Sequence, residues 1–498
     1  MSRVKYNGFH FDCLMMLLAR ATFPCILLTM LACRNSFSAA LLFGKRSAST
    51  AAISSKGTIL SKKPNARTYQ KVDASPNRTN DEKKKVFIPK GFVATPFQYQ
   101  EEIIIDIVDL SNLGMGIGRY TLPCGGLWVI MVPLVLPGEK VNVKIYRNHS
   151  SYSEADLVNV IFSSPDRVVA PCEHFTVCGG CQYQHMNIEA QRQWKRSQVE
   201  TLLQRIGGIN DVNVNGTIGS THLYSYRTKI TPHYATPYSL EDLKIGFHKR
   251  GTKTVIDIKE CMIATKDIND AYLIGREKIA QMVSVKLPKK GATLLFRDHD
   301  GGVETDSRKI ITQKVGNVVF KFKAGEFFQN NAHVLPVLVN HVISQALGFG
   351  CSHLIDTYCG SGLFALSAAR YFKTVYGVEV SELAVAAAIA NAEYNKIQNV
   401  EFICGVSERI FSKVEHFPRD KTVVIIDPPR KGCDGPFLQQ LFSFSPKVLV
   451  YVSCDPATQA RDAKDIIAAG YKVTSITPFD LFPQTRHIEN VMTFVRTQ

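Results

Sequence analysis

Acidic residues are almost missing from the first 72 positions, where Asp12 alone stands against 11 lysines and arginines. An unbroken apolar run is missing too. The stretch LARATFPCILLTMLAC is cut by Arg20 and Pro24, which leaves it too short and too interrupted for a membrane span. The 13 cysteines lack the spacing of a disulfide framework, which argues against a secreted protein. What the leader does have is serine and positive charge, in RNSFSAALLFGKRSASTAAISSKGTILSKK. That is the composition of an organelle-import peptide, mitochondrial or plastid, and equally of a disordered basic tail on a cytoplasmic or nuclear protein. The polar run DASPNRTNDEKKK continues it as a linker, so positions 1–90 are assigned to leader and linker.

Charge beyond the leader is milder. Of the formal +16, the last 426 residues carry only +6, from 48 basic and 42 acidic residues. That balance is compatible with a nucleic-acid partner without requiring one. With 498 residues the chain is long enough for two to four domains.

Order is expected to begin near Gln98. EEIIIDIVDL reads as a strand, NLGMGIGRY as a glycine-punctuated turn, LWVIMVPLVLPGEKVNVKIYRN as two strands about Pro137-Gly138, and ADLVNVIFSS as the closing strand. Short strands with Gly/Pro turns predict a small antiparallel barrel over 97–164, a shape that often binds single-stranded nucleic acid. A central domain over 165–335 follows. It opens on CEHFTVCGGCQYQH and on a helix whose apolar face is Ile188, Trp194, Val199, Leu202, Leu203 and Ile206, ending at Gly207-Gly208. Residues 215–325 read as mostly β. From 336 to 498 strands alternate with helices, which specifies an α/β domain with a doubly wound, largely parallel sheet.

Four constellations carry chemistry. The first is DTYCGSGLFA, from Asp356 to Ala365: a strand, then G-x-G-x-x-A opening a helix. Glu379 ends the next strand, 19 residues past Gly360, where it can accept hydrogen bonds from a ribose, so a nucleoside-containing cofactor is implied. Second, IIDPPR delivers Asp427 to a strand end and stiffens the chain after it with two prolines. Third, LVYVSCDPAT leaves Cys454 at the carboxyl edge of a strand, where a nucleophile belongs, and Glu489 in RHIENV can return to the same face as a general base. Cys351, Cys359, Cys404 and Cys433 read as buried structural thiols. Fourth, Cys172, Cys178 and Cys181 form C-x5-C-x2-C, with Cys261 downstream; this is metal-ligand spacing, and it leaves zinc and iron-sulfur near parity.

DTYCGSG, GVEV, IIDPPRKG, VSCDP and HIENV, in this order and preceded by FFQN at Phe327 to Asn330, resemble the RNA (uracil-5-)-methyltransferase family, the class I RNA M5U methyltransferases. The likeness runs from about Gln98 to the C-terminus. DLSNLGMGIGRY and LPGEKV look like landmarks of the TRAM domain, an OB-like barrel, and the four cysteines look like the iron-sulfur site of the bacterial 23S rRNA branch. The resemblance implies a Rossmann-like domain binding S-adenosyl-L-methionine, with Gln329, Tyr358, Gly360, Glu379 and Asp427 at the cofactor. It implies Cys454 as nucleophile and Glu489 as the base acting on uracil carbon 5. It also implies that Cys172, Cys178, Cys181 and Cys261 bind a [4Fe-4S] cluster, in an enzyme acting as a monomer on RNA, with rRNA favoured over tRNA. One departure is Asp455, where the family usually has Asn; an ionised carboxylate there is expected to raise the thiol's pKa. The rival readings are a nicotinamide-dependent oxidoreductase on the same glycine loop and a non-catalytic RNA-binding iron-sulfur protein.

Overall fold

The computed structural model describes residues 88–497 apart from 211, 406–410 and 412, so the leader lies outside the described residues. No helix among them is long and apolar enough to cross a membrane.

Residues 97–164 close into a barrel of five strands, β1 (Glu102–Leu110), β2 (Met115–Thr121), β3 (Leu127–Pro133), β4 (Lys140–Asn148) and β5 (Tyr152–Phe162), in the order β1-β2-β3-β5-β4. Alternation does the work. Ile103, Ile105 and Ile107 of β1 point inward to meet Ile130, Val132, Val141, Val143 and Ile145, while the residues between them face out. The segment expected to be a turn is itself β2 from Met115 onward, because Gly116 and Gly118 lie where a Cβ would strike Val135 and Ile105. Only Ser111–Gly114 is left as the turn.

The central region holds short sheets and the hairpin Ile310–Val315 with Val318–Lys323. It also holds a 20-residue helix that the β reading of 215–325 missed. In chain order the helices are α1 (Ile188–Leu202), α2 (Lys266–Val285), α3 (Leu335–Leu347), α4 (Leu363–Ala368), α5 (Glu382–Tyr394), α6 (Gly435–Phe444) and α7 (Pro456–Ala468). Thr265 caps α2 by accepting from the Ile268 N–H, and Ile268 and Tyr272 bury against Phe296.

Helix α1 forms where expected, and Val199 and Leu203 of its expected face are buried. So are Gln191 and Lys195, whereas Ile206 lies exposed within the closing π turn Leu203–Gly207. Gln191 donates to the carbonyls of Tyr183 and Met186, and Lys195 Nζ lies 2.6 Å from Asp480 Oδ1, with neither side chain exposed. This ion pair ties α1 to the strand Tyr471–Asp480. Burial pulls the Lys195 pKa down and Asp480 opposes it. Lys195→Ala is expected to cost about 3–5 kcal/mol of unfolding free energy by leaving Asp480 buried alone. Urea unfolding measures this, and the double change Lys195→Met, Asp480→Leu should recover most of the loss.

The last third is one eight-stranded sheet. Its order is Val400–Cys404, Thr374–Glu379, His353–Thr357, Thr422–Ile426, Val448–Ser453, Glu489–Arg496, Tyr471–Asp480 and Ile218–Gly219. The first five strands are parallel and Glu489–Arg496 runs against them. Thr422–Ile426 and Val448–Ser453 are buried along their whole length, as expected for strands covered on both faces. Because Glu489 begins the antiparallel strand, it lands at the same edge as the carboxyl ends of its neighbours.

Candidate active site

Five strand ends meet at that edge. After His353–Thr357 the chain turns through Tyr358, at φ 60, and through Gly360 and Gly362, at φ 54 and 91. A Cβ on Gly360 would meet nothing within 4 Å, so the turn leaves an open cradle rather than a packed contact. The Glu379 carboxylate accepts from the Gly360 N–H at 3.1 Å and the Ser381 N–H at 3.0 Å. Asp356 holds the opening of α4 through the Ala365 N–H at 2.8 Å; its other carboxylate oxygen is buried without a partner. Tyr358 packs its ring on Phe437, 5.2 Å between centroids. These features fit a nucleoside-containing ligand over the glycine loop.

Gln329 lies in a segment held by its neighbours. Phe328 beside it is stacked on Phe322 at 4.4 Å, and Asn331 donates to the Leu481 carbonyl at 2.8 Å, just past the end of Tyr471–Asp480. The FFQN segment is thereby tied to the carboxyl edge of the sheet.

Cys454 leaves Val448–Ser453 at this edge, and Asp455 caps α7 directly behind it. The Asp455 carboxylate accepts from the N–H groups of Ala457 and Thr458 at 3.1 and 3.3 Å. Its charge is thus spent on the helix N-terminus, a place where Asp serves as well as Asn. Burial pushes Cys454 up to about 11, helped by Glu489 and Asp427, while the Arg430 guanidinium beside the thiol acts the other way.

Glu489 is buried, and burial pushes its carboxyl well above the usual range, with Asp427 adding to the rise and Arg430 opposing it. Burial also pushes Asp427 up to about 7, although the residue as a whole keeps some exposed surface. Asp427 raises the Glu489 carboxyl and is itself raised beside it, so the two titrate as a coupled pair.

Arg430 was not singled out from the sequence, although it stands in IIDPPR. Several bonds place it: Thr458 Oγ1 donates to its carbonyl at 3.1 Å, Arg461 donates to the Lys431 carbonyl at 3.0 Å, and the Cys433 N–H donates to Asp462 at 2.8 Å. Helix α7 therefore pins the Asp427–Cys433 loop against the strand that carries Cys454. His487 lies 3.5 Å from Arg430, and burial together with Arg430 and Arg486 pulls it down to about 4, so it is neutral at pH 7. A narrow cleft of about 80 Å³ opens beside the thiol, with Asn112 of the β1–β2 turn, Gln198 of α1 and Arg486 among its walls.

A thiol raised to about 11 is almost wholly protonated at pH 7, and its thiolate fraction rises tenfold per pH unit below that value. Alkylation of Cys454 by iodoacetamide, read by peptide mass spectrometry, is expected to follow that slope from pH 6 to 9, and Arg430→Gln to slow it further, by about tenfold.

Cys359 and Cys433 are buried, as structural thiols should be, and so is Cys351; Cys404 is exposed, contrary to expectation. Cys172, Cys178, Cys181 and Cys261 carry free thiols in one neighbourhood. Cys172, Cys181 and Cys261 share an apolar cluster with Phe175 and Tyr226. Burial pushes Cys181 up to about 12, reinforced by Cys261, Cys178 and Cys172. Among the described residues no three His, Cys, Asp or Glu side chains are arranged to hold a metal ion.

The family described as tRNA (Uracil-5-)-methyltransferase matches residues 305–497. A tRNA (uracil(54)-C(5))-methyltransferase of Schizosaccharomyces pombe is 40% identical over 426 residues, covering 80% of this chain and 79% of that protein. The Saccharomyces cerevisiae protein of the same name is 31% identical over 481 residues, covering 79% of this chain and 74% of that protein. The crystal structure of Pyrococcus abyssi tRNA (uracil-54, C5)-methyltransferase in complex with S-adenosyl-L-homocysteine shares the fold, with a TM-score of 0.59 at 24% identity over 79% of this chain and 100% of that one. With the glycine loop, the thiol and the buried carboxylates at one sheet edge, the chain belongs to the RNA (uracil-5-)-methyltransferase family, S-adenosylmethionine-dependent enzymes that methylate carbon 5 of uracil in RNA.

Proposed function

We propose that this protein methylates the uridine at position 54 of tRNA through a covalent adduct on Cys454. The observation that carries the mechanism is the convergence of Cys454, Glu489, Asp427 and Arg430 beside the glycine loop. The choice of RNA rests on the names of the two yeast relatives, and it replaces the preference for rRNA drawn from the sequence.

Carbon 5 of uracil is too weak a nucleophile to take a methyl group unaided. The Cys454 thiolate adds to carbon 6, and the carbon 5–carbon 6 electron pair moves into an enolate. Carbon 5 then takes the methyl group of S-adenosylmethionine, which Gln329, Tyr358, Gly360, Glu379 and Asp427 would hold; the S–CH3 bond breaks and its electron pair leaves with S-adenosylhomocysteine. Glu489 then removes the carbon 5 proton; that electron pair rebuilds the double bond and expels the Cys454 thiolate. Arg430 favours both anionic groups, the attacking thiolate and the ionised Glu489. The ring face must be reached, so the uridine is unpaired or flipped from its stack. We assign the barrel as a TRAM-like RNA-binding domain on its closed five-stranded form.

The four free thiols near Phe175 fit a thiolate-bound group by their chemistry. The resemblance of the four cysteines to an iron-sulfur site is what favours a [4Fe-4S] cluster, which these four thiols would hold as thiolates. Iron and acid-labile sulfide analysis of anaerobically purified protein is expected to give about four of each per chain. Cys181→Ala should lower both.

The deciding test is tritium transfer from labelled S-adenosylmethionine to unmodified tRNA transcripts. Incorporation at U54, lost in a U54C transcript, is the expected result. Methylation of rRNA alone would overturn the substrate assignment, and hydride transfer from NADH the reaction.

A further inference from the structure

A second cavity, of about 540 Å³, lies at the opposite end of the sheet. Its walls are the Val315–Val318 turn, one face of α3, the end of α4 and the Asn395–Asn399 loop. Tyr371 and Asn399 immediately precede the strands Thr374–Glu379 and Val400–Cys404, which places the cavity at the amino-terminal edge. From Leu363 to Tyr371 the chain runs through α4 and a 3-10 turn, roughly 13 Å of rise away from the glycine loop. The cavity therefore belongs to neither the cofactor crevice nor the Cys454 cleft. Its volume falls in the usual range for small-molecule sites.

Its lining has a definite chemistry. Val339, Ile343 and Leu366 form an apolar floor, and no lining residue is acidic. Arg370 and Lys396 bring two cations, with Tyr371 beside them as a flat ring. Carboxamides are unusually dense. Asn395 spends its own on the backbone of Val319, and Asn399 donates to the carbonyls of Ala369 and Phe372 at 2.8 Å. Asn317, Asn340 and Gln398 line the cavity as well. Ser367 Oγ, also in the lining, is buried with no hydrogen-bond partner, an arrangement that costs stability unless something outside the protein completes it.

A flat ring suits the apolar floor and Tyr371; its polar edge suits the carboxamides of Asn317, Asn340 and Gln398; a phosphate suits Arg370 and Lys396. We propose that this cavity is a second binding site, for a nucleotide, on the far side of the sheet from the methyl-transfer site. The nucleotide is either free or an unpaired residue of the RNA substrate; the chemistry is the same.

Adenosine 5′-monophosphate is the probe. Full-length protein is first saturated with S-adenosylhomocysteine to fill the cofactor crevice, then titrated calorimetrically. One further saturable site is expected, weakened about tenfold or more by Arg370→Gln with Lys396→Gln, and closed by Ser367→Leu. Equal melting temperatures establish that the variants fold. If the natural source is RNA, the double variant also raises KM for a tRNA transcript with kcat unchanged. If the source is free nucleotide, KM stays put while the calorimetric loss remains. The proposal is overturned if the probe shows no saturable binding up to about 10 mM and KM is unmoved, or if binding persists undiminished in the variants. The calorimetric arm needs no methyl transfer, so it stands apart from the proposed activity.

Discussion

Cys454→Ala is expected to reduce methyl transfer by at least about 10⁴-fold, because it removes the thiolate that adds to carbon 6 and makes carbon 5 nucleophilic. The thiol is only partly exposed, and it sits between the buried carboxylates and Arg430. Removing it leaves the Asp455 cap of α7 and the Glu379 contacts of the glycine loop untouched. Affinity for S-adenosylhomocysteine should therefore stay within about twofold of the parent, by calorimetry, while turnover disappears. The variant should also fail to form the denaturation-stable complex with 5-fluorouridine RNA that the parent forms. Cys359→Ala and Cys433→Ala serve as controls: both thiols are buried away from the cleft walls and should cost stability rather than chemistry. Sustained turnover by Cys454→Ala would end the covalent mechanism.

The parallel sheet was legible because strands covered on both faces must be near-continuous apolar runs. VVII and VLVYV, bounded by DPP and CDP, have no other use for so many β-branched residues. The site residues were legible for a related reason, since ligands bind where such strands end and Tyr358, Glu379, Asp427 and Cys454 all follow or close a strand. Pairwise electrostatics were not. Arg430 is three residues from Asp427, yet its approach to Cys454 depends on Arg461, Asp462 and Thr458, about 30 positions away. Nor does the sequence show that Asp455 turns its carboxylate onto the N–H groups of α7 as an N-cap.

Misreadings of local structure have separate causes, polar burial first. Helix α1 packs Gln191, Lys195 and Gln198 inward because the surface it meets offers carbonyls, a phenol and Asp480. No apolar periodicity announces such a face. Helix α2 hid in a lysine-rich stretch because few of its residues are buried, among them Asn269, whose amide holds the backbone of Cys261. In β2 the glycines that read as a turn are small residues at a crowded barrel wall.

Glu489→Gln is expected to separate the two halves of the reaction. The amide is nearly isosteric and cannot accept a proton, so thiolate addition and methyl transfer can proceed while elimination cannot. Turnover should fall by about 10²–10⁴-fold, the usual contribution of a positioned base. Methylated RNA should meanwhile accumulate covalently bound to the protein, at up to one equivalent, visible as a slow-migrating band after denaturing electrophoresis. The electrostatics favour the experiment: losing Glu489's charge removes one of the groups that raise Cys454, so addition should not be slowed. Asp427 is the control. It is one of the groups that raise Glu489, and Asp427→Asn should let Glu489 titrate at lower pH, moving the acidic limb of the kcat profile downward. If Glu489→Gln lost turnover without accumulating any adduct, Glu489 would be needed for thiolate formation or addition, and its assignment as the base for the carbon 5 proton would fall.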